Sequence, residues 1–209
     1  MLNVLISGGP VMIPIGLCAV IATILIIERI LFYGAIKKGE RDLLPRLRSS
    51  IAKGHYDEAA AICDTVDSPV SRLMKTGIEN RQFSDALVKE AVMNQANREV
   101  PRLERFLSTI GTIANISTLL GLLGTVTGNI QAFGVLGDMG TMGNPAMLAS
   151  SISEALVTTA AGLIVSIPTV VFYNYFIAEV NRMVTEMEAS VSDLVLLIGA
   201  EKNKNEIQA

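Results

Sequence analysis

Residues 151–174, SISEALVTTAAGLIVSIPTVVFYN, form an apolar stretch long enough to cross a bilayer, and a glutamate stands a few residues inside it. A helix of roughly 20 mostly apolar residues spans the ~30 Å hydrocarbon core. A carboxylate inside such a span is costly unless it faces a partner or water, so Glu154 is a functional-site candidate by default. Thr158, Thr159, Gly162 and Ser166 follow it at helical spacing. The rest of the chain reads as what holds this helix, and its companion over residues 110–136, around a polar path. Between residues 110 and 178 the ionisable side chains are Asp138, Glu154 and two tyrosines. Half of all residues are hydrophobic and 18% are charged, against about a quarter charged in a soluble domain. The expected class is an all-α membrane protein with three transmembrane helices, the second and third extended into a cytoplasmic helical region.

Residues 1–35 are read as an external N-terminus and the first span. Gly8-Gly9-Pro10 is expected in a surface cap, and the apolar run 11–27, extended to Tyr33, completes the crossing. The run has no basic leader or small-residue cleavage site and continues into Glu28 and Arg29, so it is expected to remain as an anchor. Glu28 and Arg29 are read as a headgroup-level pair with a snorkelling arginine.

Residues 36–107 carry most of the Lys and Arg, whereas residues 1–27 and the loop between the later spans carry none. The positive-inside rule makes this segment cytoplasmic and the N-terminus external. Helices are predicted over 40–52, 56–66 and from Pro69 to near Asn80, with Lys53-Gly54 as a break and Ser68-Pro69 as a start. Ser84 offers the next N-cap. From Asp85 the pattern predicts one long helix to about residues 134–137. Ala86, Val92, Ala96, Val100, Leu103 and Leu107 form its apolar stripe, and Pro101 is read as a kink.

The second span falls in residues 108–137. Gly121, Gly124 and Gly128 recur at three- and four-residue spacing, which lets helices approach closely in lipid. Thr125 and Asn129 share a face, with Thr118 two turns earlier on it; such a face on each helix of a ring would be wet. Residues 138–147 are the external loop, with Asp138 its one charge and Asn144-Pro145 a turn signal. The third span is 148–178, with a kink expected at Pro168 and Tyr173 and Tyr175 at the inner interface. Residues 179–209 form an amphipathic cytoplasmic tail, with Val180, Met183, Met187, Val191, Leu194 and Ile198 along one side and fraying from Asn203 onward.

A carboxyl in a span can bind and release protons, and threonines can hold a file of water. Glu154 lies about 6 residues, or ~9 Å, from the outer end of its helix. Two readings stand beside each other: a proton or cation path lined by Glu154, Thr159 and Thr125, with Thr158 one turn below Glu154, or an interhelical hydrogen bond from protonated Glu154. His55 lacks the company of a metal site, Cys18 and Cys63 are not expected to pair, and no cofactor or nucleic acid is predicted. The polar segment shows no nucleophile–base pair or phosphate loop, so an enzyme is not expected.

LLGLLGTVTGNIQAF and ISEALVTTAAGLIVSIPTVVFYN, in this order and topology, closely resemble the two signature helices of the ExbB/TolQ/MotA proton-channel family. The likeness extends through KGHYDEAAAICDTVDSPVSRL, and three spans with a glutamate in the third resemble the ExbB/TolQ branch. The resemblance implies a ring-shaped homopentamer in the bacterial inner membrane, surrounding the single spans of two copies of an ExbD/TolR-like partner. It implies coupling of the proton-motive force to an envelope process such as TonB-dependent transport or Tol-type maintenance, through a TonB- or TolA-like protein. By motif, Thr125, Glu154 and Thr159 would line the proton path. Many relatives have Ala-Pro before this glycine-rich run, where this chain has Ser117-Thr118. The alternative is a non-conducting scaffold that stabilises a single-span partner, with Gly121, Gly124, Gly128, Gly162 and Pro168 as packing positions and lipid around the spans.

Overall fold

The computed structural model describes residues 8–139 and 145–208, apart from the side chains of 138, 139 and 200–208. The expectations for the extreme N-terminus and for the Asn144 turn lie outside these residues, and Asp138, expected in the loop, falls in the last turn of the helix Leu107–Met139. The described residues form helices joined by short turns: α1 (Met12–Ala52), α2 (Tyr56–Asp64), α3 (Pro69–Glu79), α4 (Asp85–Leu103), α5 (Leu107–Met139) and α6 (Pro145–Gln208). Among the described residues, three helical stretches are long and apolar enough to cross a membrane, beginning at Met12, Asp85 and Pro145. This is an all-α membrane protein. Two compact units divide it: Met1–Glu28 with Phe106–Phe176, and Arg29–Arg105 with Ile177–Ala209.

The second unit is a helical core of aliphatic side chains. Leu43, Leu47, Ile51, Leu73, Ile78, Val92, Leu103, Leu194 and Ile198 are buried in it. The tail stripe 180, 183, 187, 191, 194 and 198 is buried at every position, as its spacing predicts. Gly77 lets this stripe close, because a Cβ there would overlap the Leu194 side chain. Gly54, at φ +75°, turns the chain out of α1. Ser68 starts α3: its hydroxyl accepts from Ser71 N and the Ser71 hydroxyl accepts from Ser68 N, each at 3.1 Å, with Pro69 in the first turn. Ser84 precedes α4 without a side-chain cap bond.

Several expectations are corrected. The helix predicted over 40–52 is the continuation of α1, which runs unbroken from the first span. The long second helix is interrupted at residues 104–106, so Pro101 heralds a break rather than a kink. The Leu103 carbonyl accepts the Tyr33 hydroxyl at 2.8 Å instead of the amide four residues on, and Phe106 adopts φ +67°. Ala86 is exposed and Val88 takes its place in the stripe. Arg29 does not snorkel: it is 2% exposed, with its guanidinium 4.3 Å from the Phe32 ring centre. The tail stays helical to Gln208.

Polar ties brace this unit. Glu99, 1% exposed, receives Arg72 through Nε at 2.9 Å and Nη2 at 2.7 Å, and Gln95 at 3.0 Å. Bonding to Glu99 holds the Arg72 guanidinium above its ordinary range. Removing one partner of such a pair strands the other. Glu99→Gln is expected to cost about 2 kcal/mol, less than for a fully buried pair because Arg72 still meets water and Asp67. Thermal unfolding of the solubilised protein checks this. Burial of Cys63 pushes its thiol up to about 11, so it stays protonated and unreactive at neutral pH.

Burial acts on Glu40 in the same direction. Burial raises its carboxyl above the usual value, more than the Val70 amide and Ser68 lower it, with Glu186 adding repulsion. A carboxyl raised on folding contributes stability below its unfolded pKa and loses it as pH rises through the folded value. Glu40→Gln keeps an acceptor for Val70 N and removes the buried charge. The variant should therefore melt higher than the parent at pH 7, with the advantage gone below about pH 4. An equal or lower melting temperature at pH 7 would contradict this.

Candidate functional site in the paired spans

The first unit is built on small residues facing small residues. On α5, Gly121, Gly124 and Gly128 meet α6 at Thr159 and Gly162, at Thr158, and at Ser151 and Ala155, respectively. The closest approach to backbone is at Gly162, where a Cβ would lie 2.5 Å from the Ser117 carbonyl oxygen and 2.9 Å from Gly121 Cα. Side chains larger than hydrogen at these positions would press on the facing helix, which is how small residues let spans approach closely.

Hydroxyls line the same seam. Thr159 Oγ1 donates to the Gly121 carbonyl at 2.8 Å and lies 3.4 Å from Thr125 Oγ1, which donates to its own Leu122 carbonyl at 2.7 Å. Two turns further along α6, Thr118 Oγ1 and Ser166 Oγ are 2.7 Å apart. Ser117 is fully buried and bonds back to Ile113. Thr118 thus supplies a hydroxyl link to α6, whereas the Ser117 hydroxyl stays within α5. Asn129 is exposed on α5, and α6 runs through Pro168 without interruption.

Glu154 is half-buried and its carboxyl points elsewhere, onto the turn before α1. Gly9 there has φ +66°, and a Cβ on it would overlap Glu154 Oε1. Thr158 is 1% exposed, and its hydroxyl lies 2.9 Å from the Gly8 carbonyl and 2.8 Å from the Glu154 carbonyl. The structure therefore brings Thr125 and Thr159 together, and Thr118 to Ser166. It puts Thr158 under the Gly8-Gly9 turn. That turn was missed as part of the site: Gly-Gly-Pro signals a turn but not what the turn touches. His55 is exposed and lies 3.3 Å from Glu58. Among the described residues no group of three or more His, Cys, Asp or Glu side chains could hold a metal.

A profile of the MotA/TolQ/ExbB proton channel family matches residues 65–189, a stretch that includes every hydroxyl of the seam and Glu154. The chain belongs to that family. It is 30% identical over 171 residues to a biopolymer transport protein named ExbB-like 3 from Synechocystis, covering 81% of each chain. It is 27% identical over 206 residues to the biopolymer transport protein ExbB of Neisseria meningitidis, covering 90% of this chain and 92% of that one. Over 107 residues it is 38% identical to the Tol-Pal system protein TolQ of Haemophilus influenzae, half of this chain and 46% of that one. Together these relatives support the ExbB/TolQ branch. The protein is a multi-pass membrane subunit of the proton-channel type found in ExbB/TolQ systems.

Proposed function

We propose that this chain forms a homopentameric ring in the bacterial inner membrane that conducts protons past two single-span, ExbD/TolR-like partner helices. In this reading the N-terminus is external and residues 36–107 and the tail are cytoplasmic, an orientation that the Lys and Arg distribution supports. Proton flow does mechanical work on a TonB- or TolA-like protein, driving outer-membrane transport or envelope maintenance. The chain is not an enzyme. The observation that carries this reading is the Thr125–Thr159 hydroxyl pair at 3.4 Å, one turn beyond Glu154 and within the spans matched to the proton-channel family. Thr159 is also bonded to the Gly121 backbone, which favours a second reading, a scaffold that grips a partner helix without conducting.

The test is the intact mass of the complex released gently from its native membrane, followed by proton flux in vesicles. Five copies with two of a single-span protein bearing a membrane aspartate, and flux that follows an imposed pH gradient, are the expected results. A stable monomer or dimer in mild detergents would leave no ring to surround a partner, and the rotary reading would fall.

A further inference from the structure

The seam between α5 and α6 explains Thr159 and Thr125 and packs the Thr158 methyl against Gly124, but it does not explain where the Thr158 hydroxyl goes. A threonine hydroxyl in a helix is satisfied by its own i−4 carbonyl, and Thr158 has that carbonyl in Glu154. Its hydroxyl also reaches the Gly8 carbonyl, 150 residues away in sequence, and the residue is almost wholly buried there. The turn it reaches is folded tightly. Met12 N donates to the Gly9 carbonyl at 3.1 Å and Ile13 N to the Pro10 carbonyl at 3.3 Å. Gly8 has no room for a Cβ, which would overlap Met12 and lie 3.3 Å from Thr158 Oγ1. Gly9 has neither the room, because of Glu154 Oε1, nor a backbone conformation suited to other residues. The two adjacent glycines thus bring the turn close to α6, Gly8 beside Thr158 and Gly9, whose backbone conformation favours glycine, beside the Glu154 carboxyl.

We propose that the Gly8-Gly9 turn, latched to α6 by the Thr158 hydroxyl, is a positioning element for Glu154 that closes one side of its carboxyl and sets which side exchanges protons. Thr158 is then no pore-lining residue but the latch, and Gly9 is the surface the carboxyl rests on. The turn precedes α1, so the first span takes part in the site through its entry rather than only as an anchor. This rests on the reading of Glu154 as a proton carrier.

The test is the reaction of Glu154 with a hydrophobic carbodiimide, followed by mass spectrometry on the intact complex in native membranes across a range of pH. A carbodiimide reacts with the protonated carboxyl and so reports both access and protonation. Thr158→Val keeps the shape and loses the latch. It should raise the labelling rate several-fold, move the pH of half-maximal labelling, and lower proton flux. Thr158→Ser keeps a hydroxyl and should restore the parental rate and profile. Gly9→Ala disturbs the same turn with Thr158 intact, should act as Thr158→Val does, and decides the matter if the valine variant does not insert. Unchanged rate and pH profile in these variants would overturn the positioning role even where flux falls, because a packing defect has no reason to single out Glu154. Failure of the underlying reading shows separately, as normal flux in Glu154→Gln.

Discussion

Gly162→Val should leave little assembled protein in the membrane, and what is recovered in mild detergent should unfold well below the parent. The reason is the identity of the atoms around the missing Cβ. They are the Ser117 carbonyl oxygen at 2.5 Å, Gly121 Cα at 2.9 Å and Gly121 N at 3.1 Å, all backbone, so no rotamer change relieves the contact. Overpacking of a well-fitted site costs about 1–3 kcal/mol and more when the backbone must shift. The upper end applies here, because separating the helices also breaks the Thr159–Gly121 and Thr118–Ser166 contacts. Gly124→Ala is expected to be milder, since the atoms in its way belong to the Thr158 side chain. Gly34→Ala is the control: nothing lies within 4 Å of its Cβ position, and replacing a mid-helix glycine stabilises by roughly 0.5–1 kcal/mol. Melting of the three variants followed by size-exclusion chromatography ranks them. A Gly162→Val protein as stable as Gly34→Ala would mean that the seam is not what holds α5 to α6.

The glycine seam was legible because close packing in lipid leaves a periodic signature in one segment. The spans were legible for a similar reason: hydrophobic length is local. So was the start of α3, where Ser68 and Pro69 carry the capping chemistry within four residues. What was not legible depends on partners far along the chain. At the break after Leu103 the Leu103 carbonyl accepts the Tyr33 hydroxyl, from 70 residues earlier, a partner that Pro101 does not announce. Arg29 reads as an interfacial arginine until Phe32 and the surrounding core bury it. Glu154, Thr158 and Thr159 could all be chosen from residue chemistry, yet helical spacing alone could not sort their roles. The Thr159 hydroxyl meets α5, whereas the Thr158 hydroxyl and the Glu154 carboxyl meet the turn before α1. That sorting needed the position of Gly8 and Gly9, more than a hundred residues away.

Glu154→Gln should abolish proton flux, and Thr159→Val should lower it at least tenfold, while both variants still assemble. Glutamine matches the glutamate in shape and can hydrogen-bond, but it cannot release a proton. Valine matches threonine and removes one hydroxyl, which touches Thr125 Oγ1 at 3.4 Å and the Gly121 carbonyl at 2.8 Å. The two effects differ enough in size to be separated. Hydrogen bonds between membrane helices are worth about 0.6 kcal/mol on average, too little to undo a seam packed along Gly121, Gly124, Gly128 and Gly162. A tenfold loss of rate needs only about 1.4 kcal/mol in the barrier to proton passage, and a gap in a file of hydroxyls and water exceeds that. Flux in vesicles and intact mass should therefore part company: mass unchanged, flux lost. If both variants conduct as the parent does and only the glycine substitutions do harm, Glu154 and Thr159 serve packing, and the ring is a scaffold for the partner helix.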